Sequence, residues 1–411
     1  MDPLNLSFQA LFQTPPAVLV CSPGRVNLIG EHTDYSSLPV LPIAMDRATR
    51  VAAASTDDGR VVARSLRFDG EADLDRSALD GEPAAPWQRY IVGALRLLQE
   101  AAPGRGARLL VGGDLPTTGG LSSSSSFTMG LLAALNRIWG LGRGAQQLVE
   151  LAIVAERHVG VESGGMDQTV IAHARSGAAL RIDFAPTRTR AVPLPEGLRI
   201  VVAYSGEEAP KGGAVRQAYN ERVIGCRLSA ALLAARLGRS SGIPPTLGEV
   251  AGAAGSDDVE ALPDRMSARQ VAGELDVDAD PLVRLTAGRF DPDLPVALRA
   301  VARHVLSEAR RVDEAEAALV VGELEPFGQL LDASHASLAH DFGCSTPALD
   351  RLCQVMREAG ALGARLTGAG FGGYALAAVR PDRLESVLAA AQTVGGPVFE
   401  TRAAAGLSCS A

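Results

Sequence analysis

The stretch GGDLPTTGGLSSSSSFTMGLLAALN, residues 112–136, joins a glycine–serine loop directly to an apolar segment. Gly119 and Gly120 come first, and five consecutive serines occupy residues 122–126. Apolar side chains then recur at the spacing of one helix face. These apolar positions are Phe127, Leu131, Leu135 and Ile138. The order predicts a loop, then a helix N-terminus, then a buried helix.

The N-terminus of a helix is a natural anion site. Its first N–H groups have no partner within the helix, and the helix dipole is positive there. Glycines let the backbone approach a bulky anion, and hydroxyls add donors or a magnesium ligand. The stretch therefore predicts a phosphate cradle, with a polar linker and a serine N-cap as the alternative. It is neither G-x-x-x-x-G-K-[ST] nor G-x-G-x-x-G, and no lysine follows the glycines.

A second polar cluster, SPGRVNLIGEHTDY, occupies residues 22–35. It combines one arginine, two carboxylates and one histidine with three interleaved apolar residues. A charged surface turn is the simple interpretation. The apolar residues favour burial instead, and buried polar groups need partners, which a ligand can provide.

Two further glycine-containing clusters follow. GGMDQ at residues 164–168 places Asp167 directly before an apolar run, where it is either a helix cap or a functional acid. ARLTGAGFGGY at residues 364–374 has four glycines within six residues. That loop either approaches a ligand closely or makes a tight connection.

Composition limits the class of protein. At 411 residues the chain is long enough for two or three domains of about 150 residues each. Lysine and arginine total 39 against 47 acidic residues, a net charge of −8, which argues against a general nucleic-acid surface. Five scattered cysteines without a C-x-x-C pair suit free thiols in a reducing compartment. With no signal-peptide pattern and no apolar run of about 18 residues, we expect a cytoplasmic protein without a membrane partner.

Strand-like and helix-like segments both occur along the chain. Predicted strands cover residues 18–21, 40–54, 61–65, 108–111, 178–184 and 198–204, and a further strand follows Tyr374 and runs through Val379. Predicted helices cover residues 87–98, 146–158, 214–237, 297–321, 323–339 and 347–359. Residues 238–296 are predicted to form short helices and loops.

In this order, the clusters resemble the GHMP kinase superfamily, and within it the galactokinases. GRVNLIGEHTDY at 24–35 is similar to the galactokinase signature, GLSSS at 120–124 to the second superfamily motif, and LTGAGFGG at 366–373 to the third. Weaker matches are GGMDQ (164–168), YNER (219–222), RHVLSE (303–308) and SHASL (334–338).

The resemblance implies a GHMP kinase two-domain fold of the α/β class (α+β). Its ribosomal S5 domain 2-like N-terminal domain would span residues 1–195 and its ferredoxin-like C-terminal domain residues 196–411, with the active site in the cleft between them. The implied reaction is ATP-dependent phosphorylation of galactose at its anomeric hydroxyl, giving galactose 1-phosphate. The alternatives are a kinase for another galactose-configured sugar, such as L-arabinose or N-acetylgalactosamine, and a non-catalytic sugar sensor. A monomer is expected.

The resemblance also implies residue roles. Asp167 matches the catalytic base and Arg25 the arginine beside it. The Mg²⁺ ligands would be Ser124 and Glu156, with Glu162 as the alternative carboxylate. The sugar-binding positions are Glu31, His32, Thr33, Asp34, Gly164 and Tyr219. The ATP-binding positions are Ser65, Trp87, Thr118, Gly119, Gly120, Leu121, Ser122, Ser123 and Ser124.

The chain departs from the family pattern at four places. Thr118 replaces the first glycine of P-x-G-x-G-L-S-S-S, where a Cβ would crowd the phosphates or change the turn. Ser163 replaces a common cysteine, and Ser36 and Ser37 replace the usual Asn-Gly. The segment before Tyr219 is longer than usual and lacks the family's pattern; in the family this segment lies near the sugar.

Overall fold

A computed structural model describes residues 2–79, 85–158, 164–208, 213–239, 245–286 and 290–410. The chain forms two compact units, each assembled from separate segments. The first contains Met1–Val26, Ile43–Leu180 and Arg402–Ala411, and the second contains Asn27–Pro42 and Arg181–Thr401. The contiguous domains expected at residues 1–195 and 196–411 remain a prediction.

The described helices and strands are numbered in chain order. The helices are α1 (Pro3–Phe12), α2 (Gln88–Leu97), α3 (Ser123–Ile138), α4 (Ala145–His158), α5 (Met166–His173), α6 (Gly213–Arg236), α7 (Leu247–Ala251), α8 (Ser256–Glu260), α9 (Ala268–Leu275), α10 (Asp280–Thr286), α11 (Arg299–Val321), α12 (Leu324–Ser337), α13 (Pro347–Glu358) and α14 (Leu384–Gln392). The strands are β1 (Val18–Asn27), β2 (Pro42–Thr56), β3 (Arg60–Ser65), β4 (Glu71–Asp75), β5 (Gly106–Gly113), β6 (Ala178–Asp183), β7 (Arg188–Pro193), β8 (Arg199–Tyr204), β9 (Arg265–Met266), β10 (Val296–Ala297), β11 (Gly363–Thr367), β12 (Tyr374–Val379), β13 (Val398–Thr401) and β14 (Ser408–Ser410).

The sheet of the first unit has, among the described residues, the strand order β14-β1-β2-β5-β3-β4. Helix α3 is buried along most of its length, as its apolar composition predicts. Gly130 permits this burial, because a Cβ there would lie 3.2 Å from the Ser22 side chain and 3.3 Å from that of Val51. Residues 114–122, which include Gly119 and Gly120, connect the end of β5 to the N-terminus of α3.

The sheet of the second unit has the order β11-β12-β8-β13, and each neighbouring pair is antiparallel. In chain order its elements run strand, helices, strand, strand, helix, strand, which is the split βαβ arrangement of ferredoxin-like folds. The ferredoxin-like prediction for the C-terminal half is therefore confirmed. Helix α12 packs closely on β11, since a Cβ at Gly363 would lie 1.9 Å from the carbonyl oxygen of Gly328.

The predicted helices are confirmed with small shifts at their ends, and residues 245–286 form the expected short helices. Several elements were not predicted: β4, β7, β9, β10, β11, β13, β14 and α14. The strand predicted at residues 18–21 continues to Asn27, because its Pro-Gly-Arg segment is buried within the sheet. None of the described helices is both long and apolar enough to cross a membrane.

Candidate active site

Arg25 and Asp167 form a two-point ion pair in the first unit. Arg25 lies near the end of β1, and Asp167 lies in the first turn of α5, where the helix dipole favours an acid. Arg25 Nε lies 2.8 Å from Asp167 Oδ1 and Nη2 lies 3.2 Å from Oδ2. Arg25 is 7% exposed. The sequence prediction that these two residues lie together is consistent with this contact.

The same guanidinium also contacts the glycine–serine loop. Arg25 Nη1 donates to the carbonyl oxygen of Gly120 at 2.6 Å, and the backbone N–H of Arg25 donates to that of Leu121 at 3.3 Å. Gly24 makes this approach possible, because a Cβ there would lie 2.2 Å from the Leu115 side chain. Arg25 therefore fixes Asp167 relative to the start of α3.

Ser122 contacts Asp167 directly. Its hydroxyl donates to Oδ2 of the carboxylate, so three donor groups from Arg25 and Ser122 hold Asp167. Ser122 has a φ of 57°, in the left-handed region, which is uncommon for a residue with a Cβ. The sequence predicted this serine only as part of the ATP cradle, and its contact with the acid was missed.

The loop before α3 turns through two left-handed glycines. Gly119 and Gly120 have φ values of 88° and 92°, and Thr118 beside them is half-buried. Ser123 Oγ donates to the carbonyl oxygen of Thr117 at 3.2 Å. The side chain of Ser122, the N-cap residue, does not cap α3 within the described contacts. The first-turn N–H groups are therefore placed to receive an anion.

Glu156 is a buried acid beside this loop. It lies in α4, is 2% exposed, and accepts a hydrogen bond from Ser125 Oγ at 3.0 Å through Oε2. Its other oxygen, Oε1, is buried and has no hydrogen-bond partner among the described residues. Burial raises the pKa of Glu156 to about 8, and the negative charge of Asp167 adds to the rise.

The serine that reaches Glu156 is Ser125, one residue beyond the predicted metal ligand. Ser124 is half-buried in the first turn of α3, and its carbonyl oxygen accepts from Thr128 Oγ1 at 3.0 Å. The alternative carboxylate, Glu162, lies outside the described residues, as does Ser163. No group of three or more His, Cys, Asp or Glu side chains suited to a metal ion occurs in the described part of the chain.

Ser65 and Trp87 converge on one turn of the first unit. Ser65 Oγ accepts hydrogen bonds from the N–H groups of Arg67 and Phe68, both at 3.1 Å. Trp87 Nε1 donates to the carbonyl oxygen of Asp69 at 3.2 Å, and its ring stacks on Phe68 at an interplanar angle of 16°. The two predicted nucleotide-contact residues thus belong to one local structure.

Glu31 is a buried acid of the polar cluster in the second unit. Its Oε2 lies 2.7 Å from Arg365 Nη2, and its Oε1 accepts from the backbone N–H of Gly368 at 3.0 Å. The sequence suggested a sugar-binding carboxylate here but gave no indication of its ion pair with Arg365.

His32 lies among aromatic rings of the second unit. Its Nδ1 is 3.1 Å from the Tyr35 hydroxyl, and its Nε2 is 3.2 Å from the carbonyl oxygen of Ala369. The ring stacks on Phe342 at 4.3 Å and lies 5.7 Å from that of Tyr219 on α6. Burial lowers the pKa of His32 to about 3, so the imidazole is neutral at physiological pH.

The remaining predicted sugar-binding residues, Thr33, Asp34 and Gly164, lie in different local environments. Thr33 Oγ1 lies 2.9 Å from the carbonyl oxygen of Gly30 and 2.8 Å from that of Pro39, so Thr33 closes the loop. Asp34 is half-buried and begins a short 3₁₀ turn. Gly164 lies in the first unit, on the approach to α5.

Glu308 on α11 supports the polar cluster and was not predicted. Its Oε1 accepts from the N–H of Gly30 at 2.9 Å, from the N–H of Glu31 at 3.3 Å and from Ser334 Oγ at 2.6 Å. Burial raises the pKa of Glu308, but the charges of Arg365 and Arg311 outweigh burial and bring it to about 2. A buried acid within an otherwise apolar helix face, in the quoted motif RHVLSE, is the sequence signal that could have identified it.

Comparisons with known proteins identify the family. Three family models match: the galactokinase galactose-binding signature (residues 6–55), the GHMP kinase N-terminal domain (89–175) and the GHMP kinase C-terminal domain (315–396). Galactokinases from Chloroflexus aurantiacus and Chloroflexus aggregans are each 35% identical, over 100% of this chain and 97% of theirs. The crystal structure of Lactococcus lactis galactokinase complexed with galactose is 29% identical, with a TM-score of 0.81 over 98% of each chain.

The chain therefore belongs to the GHMP kinase superfamily and, within it, to the galactokinase family. It is a phosphotransferase of the kinase type.

Proposed function

We propose that this protein transfers the terminal phosphoryl group of ATP to the anomeric hydroxyl of galactose, giving galactose 1-phosphate and ADP. The observation that carries the proposal is the Arg25–Asp167 pair beside the N-terminus of α3. It combines a carboxyl group, a fixed cation and an anion-binding helix end, and phosphoryl transfer uses all three.

Asp167 acts as the general base. The sugar oxygen attacks the terminal phosphorus, its proton passes to Asp167, and ADP leaves with the electrons of the broken P–O bond. The guanidinium of Arg25 orients the carboxylate through two hydrogen bonds and offsets charge at the transferring group. Phosphoryl transfer needs little covalent work, so the positions of these groups supply most of the effect.

The nucleotide occupies the glycine–serine loop. Backbone N–H groups of the loop and of the first turn of α3 receive the phosphates, as at other helix N-termini. The residues assigned to ATP are Thr118, Gly119, Gly120, Leu121, Ser122, Ser123 and Ser124, with Ser65 and Trp87 on the nucleoside side. Ser122 also orients Asp167, because its hydroxyl donates a hydrogen bond to the carboxylate.

The donor set fits Mg²⁺. This ion takes one or two protein oxygens and completes its shell with phosphate and water, so a three-residue cluster is not required. Glu156 offers a buried carboxylate oxygen without a described partner, and Ser124 and Ser125 offer hydroxyls next to it in sequence. When bound, the ion would neutralise phosphate charge and orient the phosphate oxygens.

The sugar contacts the cluster at residues 31–34 together with Gly164 and Tyr219. Carboxylates such as Asp34 accept from pairs of hydroxyls, which is how one epimer is distinguished from another. Neutral His32 contributes a ring nitrogen without adding charge. A cytoplasmic location and a monomeric state remain predictions.

A kinase assay with product identification tests the function. ADP formation is measured with galactose, L-arabinose and N-acetylgalactosamine, and ³¹P NMR identifies the phosphorylated carbon. We expect sugar-dependent ADP formation with galactose and a phosphate at its anomeric carbon. Turnover with another sugar but not with galactose would reassign the substrate. Galactose binding measured by calorimetry without turnover of any sugar would indicate a sensor.

A further inference from the structure

We infer that Arg365 is a positioning residue for the sugar: it holds the segment from Asn27 to Glu31 against the glycine loop at residues 366–373. This inference rests on the proposed function, because it concerns how the sugar-binding segment is held in place. Arg365 lies in β11, and its side chain is fully buried. All the contacts that carry the inference lie within the second unit.

One guanidinium reaches three acceptors of the sugar segment. Arg365 Nη1 donates to the carbonyl oxygens of Asn27 at 3.3 Å and Leu28 at 3.0 Å, and Nη2 donates to Glu31 Oε2 at 2.7 Å. A planar fork serves several acceptors at once with little loss of freedom, whereas the ammonium of lysine is a compact point charge on a flexible stem. The arginine therefore sets the path of the backbone as well as the charge of the site.

The glycine loop completes the attachment. The N–H of Gly368 donates to Glu31 Oε1 at 3.0 Å. Thr367 Oγ1 lies 3.3 Å from the Asn27 carbonyl oxygen and accepts from the N–H of Asn27 at 3.2 Å. The carboxylate of Glu31 is therefore shared between a side chain of β11 and the backbone that follows it. Its orientation depends on both.

Loss of the guanidinium would act first on Glu31. The carboxylate is 3% exposed, and Arg365 is the cation that neutralises it. A lysine at this position keeps the charge but cannot serve all three acceptors at once, so the buried carboxylate turns toward another donor and the oxygens available to sugar hydroxyls move. The effect on sugar binding therefore exceeds the effect on nucleotide binding.

The test compares Arg365→Lys with a matched control, Arg357→Lys, in the full-length protein. Arg357 also donates to β11, at 3.3 Å from the Ala364 carbonyl oxygen, but its ion pair is with Asp332 on α12. We expect Arg365→Lys to raise the KM for galactose about 10-fold or more while the KM for ATP stays within about 2-fold. Calorimetric titration with galactose in the absence of ATP should show the same loss of galactose affinity in Arg365→Lys. The Arg357→Lys control should match the wild type in both assays.

Thr367→Val provides a second test of the inference if Arg365→Lys does not fold. Thr367→Val removes the hydroxyl contacts with Asn27 and leaves Glu31 paired, so it should shift the galactose KM in the same direction by a smaller factor. An unchanged galactose KM in both variants, or equal changes in the KM values for galactose and ATP, would overturn the inference. Galactose neither bound nor phosphorylated by the wild type would instead refute the proposed function, and the inference with it.

Discussion

Arg25 and Asp167 are 142 residues apart in the sequence, yet both oxygens of the carboxylate lie within 3.2 Å of the guanidinium. Two-point pairing fixes the plane of the carboxylate as well as its position. Because Arg25 also holds the Gly120 carbonyl, the acid and the glycine–serine loop share one anchor. The proposed base and the proposed phosphate cradle are therefore oriented together.

Asp167→Asn should abolish most turnover while preserving nucleotide binding. The amide has the shape of the carboxylate but cannot take the sugar proton, so kcat should fall by about 10²- to 10⁴-fold. The dissociation constant of ATP should change by no more than about 2-fold, since the loop backbone is unaltered. Steady-state kinetics and nucleotide titration provide the two measurements.

Asp58→Asn is the control for this change. Asp58 forms an exposed ion pair with Arg108 in the same unit, at 2.9 Å. The Asp58→Asn variant should keep the wild-type kcat. Near wild-type turnover in Asp167→Asn would show that another group accepts the proton.

Ser122→Ala should lower kcat by a larger factor than its loss of stability explains. The variant removes one of the donors that orient Asp167, and we expect a loss of about 10-fold in kcat. Ser126→Ala is the matched change within the same serine run, because Ser126 Oγ donates to the Ser22 carbonyl oxygen at 2.7 Å. That control should lower the melting temperature and leave kcat intact. If both variants lost kcat in proportion to stability, Ser122 would have only a structural role.

Glu156→Gln should weaken the response to Mg²⁺. The amide keeps the side-chain shape but removes the negative charge on Oε1, so the Mg²⁺ concentration for half-maximal rate should rise about 10-fold or more. Calorimetric binding of galactose without nucleotide should not change. Burial raises the pKa of Glu156 to about 8, so the side chain of the metal-free protein is mostly neutral near pH 7, and the melting temperature of the metal-free protein should change little in the variant. An unchanged Mg²⁺ requirement would remove Glu156 from the metal site.

His304 should make folding sensitive to mild acid. Burial lowers its pKa from 6.5 to about 4 in the folded protein, so its contribution to stability is complete above pH 6.5. That contribution is lost as the pH falls through the window from 6.5 to 4, because the unfolded chain binds the proton more tightly.

His304→Gln removes this proton-binding site and keeps a donor near the Glu31 carbonyl oxygen, which lies 3.1 Å from Nε2. Between about pH 7 and pH 5, the wild type should lose about 2 kcal/mol more of its free energy of unfolding than the variant does. Urea unfolding at both pH values measures the difference. Parallel losses in the two proteins would contradict the assignment.

Local patterns in the sequence predicted the secondary structure well where periodicity was strong. Helix α3 and the loop before it followed from glycines, serines and apolar spacing that are adjacent in the chain. Strand β11 was missed because its residues 363–367 precede four glycines and were assigned to the loop. Strand β14 is three exposed residues at the chain end, and it becomes a strand only because it pairs with β1.

The sequence by itself determined the family and its motifs, since these depend on residue types at short spacings. That Arg25 lies beside Asp167 was implied only by the family resemblance, because the two residues are 142 positions apart. Only the tertiary structure decided the partners of the buried polar groups. Ser122 contacts Asp167, Ser125 contacts Glu156, and Arg365 contacts Glu31. Each of these pairs joins residues from distant segments. A buried charge or hydroxyl must find a partner in space, and packing of the whole chain selects which one it meets.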